Sequence, residues 1–126
     1  MRYSHQRELI LKEVLSRSDH PTAEQICTSL RAVCPRLSLG TVYRDLNTLV
    51  EIGKIRRVSI PGEADRFDGE LGSHQHMFCR KCRSVISLPI PADQLERLVM
   101  ACPDVKIEKY ALTVFGLCAD CAKSEA

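Results

Sequence analysis

The chain has 126 residues, 44% of them apolar and 27% charged, with a net charge of only +2. That length allows one ordinary domain or two very small ones, and the composition excludes a disordered chain. No apolar run is long enough for a transmembrane helix, and so small a net charge does not by itself announce a nucleic-acid partner.

The first half reads as three short helices and a hairpin. Leu9, Ile10, Val14 and Leu15 give the first helix an apolar face. Thr22-Ala23-Glu24-Gln25 has the spacing of a capping box, and Ala23, Ile26, Cys27 and Leu30 continue it with helical periodicity. Pro35 is expected to stop that helix. Ser38 is a good N-cap for a third, whose inner stripe is Leu39, Val42, Leu46, Leu49 and Val50, with Gly53 at its end. This third helix turns Thr41, Tyr43, Arg44, Asn47 and Thr48 away from the stripe. Such a row suits a helix entering the DNA major groove, although a solvated polar face has similar residues.

Ile55 to Ile60, a turn at Pro61-Gly62, and Arg66-Phe67-Asp68 predict a two-stranded hairpin. Three helices plus a hairpin make a winged helix-turn-helix. Arg56 and Arg57 stand at the wing base, where cations can contact phosphates. In the second half, Val85–Leu88 is strand-like and Leu95, Leu98, Val99 and Cys102 mark a helix. Val105–Phe115 is a long β-rich stretch whose alternation slips near Lys109-Tyr110. The fold class expected is α+β: an N-terminal winged helix-turn-helix followed by a small α/β unit. That second unit is too small to bury much area alone, so a metal cage and a partner subunit are natural supports.

The start, Met1-Arg2-Tyr3-Ser4-His5, lacks the apolar core of a signal peptide, so a cytoplasmic location is expected. Thiols stay reduced there, and seven cysteines then point to metal or redox chemistry before disulfides. Cys27, Cys34 and Cys102 fall on apolar faces and read as small core residues. Cys79/Cys82 and Cys118/Cys121 form two C-x-x-C pairs. Two such turns can complete a tetrahedral thiolate cage for Zn²⁺, the reading preferred here. Redox disulfides and a rubredoxin-type iron site share the spacing. A second, looser constellation is His20, Asp68, His74 and His76. Its mixed N/O donors suit Fe²⁺, Mn²⁺, Zn²⁺ or Ni²⁺, while scattered histidines are also common as surface residues.

Several segments together resemble the ferric uptake regulator (Fur) family of repressors over nearly the whole length. They are Arg2 to Arg7, His20-Pro21-Thr22-Ala23, Ser38 to Arg44, Arg66-Phe67-Asp68, His74-Gln75-His76 and the two C-x-x-C pairs. The resemblance implies a winged-helix DNA-binding domain over 1–69, wing included, and an α/β dimerisation and metal-binding domain over 70–126. It also implies structural zinc on Cys79, Cys82, Cys118 and Cys121. Asp68 stands where iron sensors commonly carry Glu, so the chain looks closest to the peroxide-sensing (PerR) branch. That branch's regulatory ligands map onto His20, Asp68, His74 and His76, with a fifth position at Ser87. A hydroxyl there is a far weaker ligand than the usual carboxylate.

The resemblance further implies a homodimer bound to a double-stranded DNA operator, with Fe²⁺ or Mn²⁺ at the regulatory site and His20 and His74 as targets of peroxide-driven oxidation. Tyr43 and Arg44 are the expected base-reading residues, with Ser38 and Thr41 positioning phosphates. A non-enzymatic regulator with no membrane and no small organic substrate is the leading reading. A metal-supply sensor of the same fold is its nearest rival. A zinc-ribbon enzyme or thiol redox protein is more distant, because nothing resembles a nucleophile with a paired base and four thiolates leave no Lewis-acid position.

Overall fold

The computed structural model describes residues 2–70 and 75–125, with the side chains of residues 2–4 and 92 left aside. The chain divides into two compact units, residues 1–71 and 72–126.

The first unit holds helices α1 (Arg2–Ser16), α2 (Ala23–Leu30) and α3 (Leu39–Glu51), then strands β1 (Arg56–Val58) and β2 (Arg66–Asp68). Thr22 closes the capping box expected of it: its hydroxyl accepts from Gln25 N, and the Gln25 side chain accepts from Thr22 N. Ser38 caps α3, its Oγ accepting from Thr41 N at 3.1 Å. Gly53, just past the end of α3, has φ +79°, the left-handed conformation that glycine adopts without a Cβ clash. Helix α2 ends at Leu30, well before Pro35, with a further turn carrying the chain onward.

One apolar cluster fills this unit, from Ile10 and Val14 through Ile26 and Leu46 to Ile55 and Phe67. The predicted helix stripes supply most of it, spacing of three and four residues putting those groups on single faces, and Leu37, Ile55 and Phe67 complete it from outside the helices. Asp45 is a buried polar residue on α3, with its Oδ1 3.6 Å from Arg7 Nε of α1. Strands β1 and β2 pair antiparallel, Arg57 opposite Phe67. The strand β1 is shorter than the expected 55–60 run, ending before Ser59.

The second unit is a three-stranded sheet in the order β4-β3-β5. It consists of β3 (Gln75–Cys79), β4 (Val85–Leu88) and β5 (Val114–Gly116), with α4 (Ala92–Met100) and α5 (Ala119–Glu125). β3 pairs antiparallel with β4 and parallel with β5. The long strand expected over 105–115 is reduced to three residues. β5 finds partners only in Met77, Phe78 and Cys79, and without a ladder the preceding backbone stays irregular. Helix α4 ends at Met100, so Cys102 is exposed rather than in a core, and Cys34 is only half-buried; Cys27 is buried as expected. Among the described residues here, Phe78, Cys79 and Val85 are the buried apolar ones, while Leu98 is 75% and Phe115 54% exposed. So thin a core gains little from burial alone. Among the described residues no helix is long and apolar enough to cross a membrane.

Candidate metal centres and nucleic-acid interface

The four C-x-x-C cysteines converge within the second unit, one sulfur from each within 4.8 Å of the others. Cys82 Sγ and Cys118 Sγ lie 3.8 Å apart. Four thiolates each about 2.3 Å from a tetrahedral ion have sulfurs about 3.8 Å apart, so the donor set and spacing fit Zn²⁺. The first turn is tightened by Arg83 N donating to Cys79 O and Cys79 N donating to Ser84 O, both at 2.9 Å. Arg83 takes φ +64° to close it. The second turn is the start of α5. Arg80 Nη2 to Glu125 Oε2 at 3.1 Å and Lys81 Nζ to Ser124 Oγ at 3.0 Å hold α5 against the first turn.

Backbone amides shape the thiol chemistry. The N–H of Cys118, 3.4 Å from Cys79 Sγ, and that of Cys82 hold the Cys79 thiol down at about 6. The Ser84 hydroxyl, 3.2 Å from Cys82 Sγ, lowers Cys82 as well. Cys121 is pushed up to about 12, chiefly by the adjacent Cys118 sulfur and by burial. Sulfurs this crowded cannot all ionise without a cation, which is a second reason the site suits a metal.

The first unit brings together two of the other expected ligands. His20 Nε2 and Asp68 Oδ2 are 3.4 Å apart, and both residues are buried. Imidazole and carboxylate each about 2.1 Å from one ion are about 3.0–3.4 Å apart, so the pair fits two positions around a single divalent ion. Asp68 Oδ1 accepts from Glu70 N at 2.9 Å. His20 has φ +53°, uncommon for a residue with a side chain, and such strain gathers at functional sites. Three links hold that turn on the wing: Phe67 N to Pro21 O at 2.9 Å, Arg66 Nη1 to His20 O at 3.2 Å, and a Thr22–Arg66 bridge.

In the second unit His76 is buried on β3 and stands opposite Ser87 on β4. His74 lies outside the described residues.

On α3, Tyr43 and Arg44 are exposed and Asn47 lies on the same outer face. Ser38 Oγ donates to Thr41 Oγ1 at 2.9 Å while accepting from Thr41 N, so both hydroxyls expected near phosphates also serve the helix start. Sequence reasoning missed the roles of Arg66 and Arg57. Arg57, an exposed residue, lies against Asn47, Asp65 and the Phe67 ring of its own unit.

A winged three-helix unit with an exposed tyrosine and arginine, followed by a sheet closed by two C-x-x-C turns, defines a class of winged-helix proteins carrying a thiolate cluster. The ferric uptake regulator family model matches residues 1–115. The chain belongs to that family, one of metal-responsive regulators. The peroxide-responsive repressor PerR of Staphylococcus saprophyticus is 30% identical over 122 residues, covering 96% of this chain and 82% of the relative. The PerR of Staphylococcus aureus is 28% identical with the same coverage. The ferric uptake regulator of Helicobacter pylori has a similar fold, with TM-score 0.80, 24% identity, and 97% and 83% of the two chains covered. So has the peroxide stress regulator of Campylobacter jejuni, with TM-score 0.70, 24% identity, and 95% and 91% coverage.

Proposed function

We propose that the chain is a cytoplasmic, homodimeric repressor that binds a double-stranded DNA operator when its regulatory site is loaded, and that it senses peroxide. The observation that carries this reading is the buried His20–Asp68 pair, fastened to the wing of the DNA-reading unit. His20, Asp68, His74 and His76 are the regulatory ligands, with Ser87 at the edge of the set. Cys79, Cys82, Cys118 and Cys121 hold structural Zn²⁺; saturated by four thiolates, that site performs no catalysis.

Fe²⁺ at the regulatory site supplies one-electron chemistry toward H₂O₂, whereas Mn²⁺ holds the same ligands without it. The chain's own part is to bias two states. An ion held by His20 and Asp68 would lock the 20–22 segment, already bonded to β2 through Arg66 and Phe67, and so fix the wing. Tyr43 and Arg44 then read bases, while Ser38 and Thr41 support phosphate contact at the helix start. Oxidation of His20 or His74 removes a nitrogen donor, and the loaded state loses its advantage.

Mass spectrometry of the Fe²⁺-loaded protein after peroxide tests this. One added oxygen on His20 or His74, together with operator release, is expected. Unmodified histidines with intact binding would overturn peroxide sensing. Support for PerR-like chemistry also comes from the peroxide-responsive relatives.

A second reading keeps the fold and the DNA but makes the chain a sensor of iron or zinc supply. Ser87 favours it, since the residue facing His76 offers a hydroxyl in place of a carboxylate. Release by metal withdrawal alone, with no peroxide response in the Fe²⁺ form, would select that reading.

A further inference from the structure

Arg31 and Arg36 both belong to the segment between α2 and α3. Arg31, one residue past the end of α2, donates from Nε to Leu37 O at 3.0 Å. Cys27 Sγ meets the same oxygen at 3.7 Å and Leu37 is buried, so this carbonyl is held against the core. Arg36 immediately precedes Leu37, and Ser38, the α3 cap, follows it. Both arginines are exposed.

A guanidinium carries donors on Nε and on both Nη atoms, and no acceptor. The Leu37 bond takes the single hydrogen of Nε and pins one edge of the Arg31 group, leaving its Nη donors for other partners. Among the described residues no carboxylate forms an ion pair with Arg31, with Arg36 or with the exposed Arg44 of α3. Arg7, Arg17, Arg57 and Arg80, by contrast, each pair with an Asp or a Glu. Arg36 also lines an open hollow of about 610 Å³ together with His5 and Gln6 of α1, so the surface beside it is concave.

A helix about 10–12 Å across nearly fills a major groove about 12 Å wide. With α3 in that groove, groups beside its first turn meet the phosphate ridge rather than base edges. An arginine already held by one edge loses little side-chain freedom when it grips a phosphate through Nη.

We propose that Arg31 and Arg36 form a phosphate clamp beside the start of α3, each gripping the DNA backbone and adding affinity without reading sequence. This rests on the DNA-binding reading above and extends the interface beyond α3 itself.

The test is affinity for two duplexes, one selected from a randomised pool and one scrambled, over a series of salt concentrations. The full chain is used, loaded with Zn²⁺ and Mn²⁺. Arg31→Ala and Arg36→Ala should each weaken both duplexes alike, by about fivefold per subunit at about 0.15 M salt. Each should lower the salt slope by about one per subunit and leave the sequence preference as it was. Thermal melting of each variant checks the fold; Arg36→Ala removes no printed bond from its own unit, whereas Arg31→Ala gives up the Leu37 contact. Weaker binding by Arg31→Ala with an unchanged salt slope would make Arg31 a structural bond only and overturn the clamp. Unchanged affinity and slope in either variant would overturn it too, as would a changed preference at any base position. If wild type binds neither duplex, the DNA-binding reading itself falls and this inference with it.

Discussion

Arg66 of β2 donates from Nη1 to the main-chain oxygen of His20 at 3.2 Å, so one side chain ties the strand ending in Asp68 to the turn that carries the imidazole. Groups that orient a ligand from outside the coordination shell are worth about 10–100-fold in metal affinity. Arg66→Met should therefore weaken Mn²⁺ binding by about tenfold in a calorimetric titration, with zinc content unchanged. Unchanged Mn²⁺ affinity would leave Arg66 a purely structural bond.

The backbone at His20 separates strain from ligation. At φ +53° a Cβ is unfavourable by about 1–2 kcal/mol, which glycine escapes at some cost in chain entropy. His20→Gly and His20→Ala should both abolish the Mn²⁺ response. The glycine variant should nevertheless be the more stable of the two by about 1 kcal/mol in denaturant unfolding.

Zinc uptake should release protons in a pH-dependent number. The metal-free Cys79 thiol sits at about 6, below its ordinary value, so it is already ionised at neutral pH and becomes protonated as pH falls through that value. Cys121, at about 12, arrives protonated and gives up its proton at either pH. Zinc affinity should thus fall as pH drops and fall more steeply below about 6, with more protons released per ion at about pH 5.5 than at about pH 7.5. Calorimetry in buffers of different ionisation enthalpy measures this; a constant proton count would contradict the amide-stabilised thiolate at Cys79.

Ser38 and Arg44 should behave differently although both lie at α3. Ser38→Ala removes the α3 cap and should cost about 1 kcal/mol of stability. Arg44, exposed on the outer face, should alter stability by less than about 0.5 kcal/mol when changed to Ala, yet weaken operator binding by about 1–3 kcal/mol. Equal operator binding by Arg44→Ala and the parent would remove α3 from the interface.

Much of this was legible because it rests on local chemistry. The Thr22 box, the Ser38 cap, the glycine after α3 and the two C-x-x-C turns are each set by residues a few positions apart. What escaped was non-local pairing. Nothing in the pattern of residues 20–22 says that they bond to residues 66 and 67, and nothing at Arg57 says that it meets Asn47. The stretch 105–113 failed for the converse reason: its residues favour strand, but β3 offers partners to only three residues of β5. Cys102 followed from extending the α4 stripe one turn too far, past the end of the helix at Met100.

The most direct measurement is operator affinity of the zinc-retaining protein with and without Mn²⁺, on one duplex at fixed salt. A regulatory ion that couples the His20–Asp68 pair to the reading helix predicts tighter binding in the loaded form, by about 5–150-fold. Equal affinity in the two forms would contradict the account.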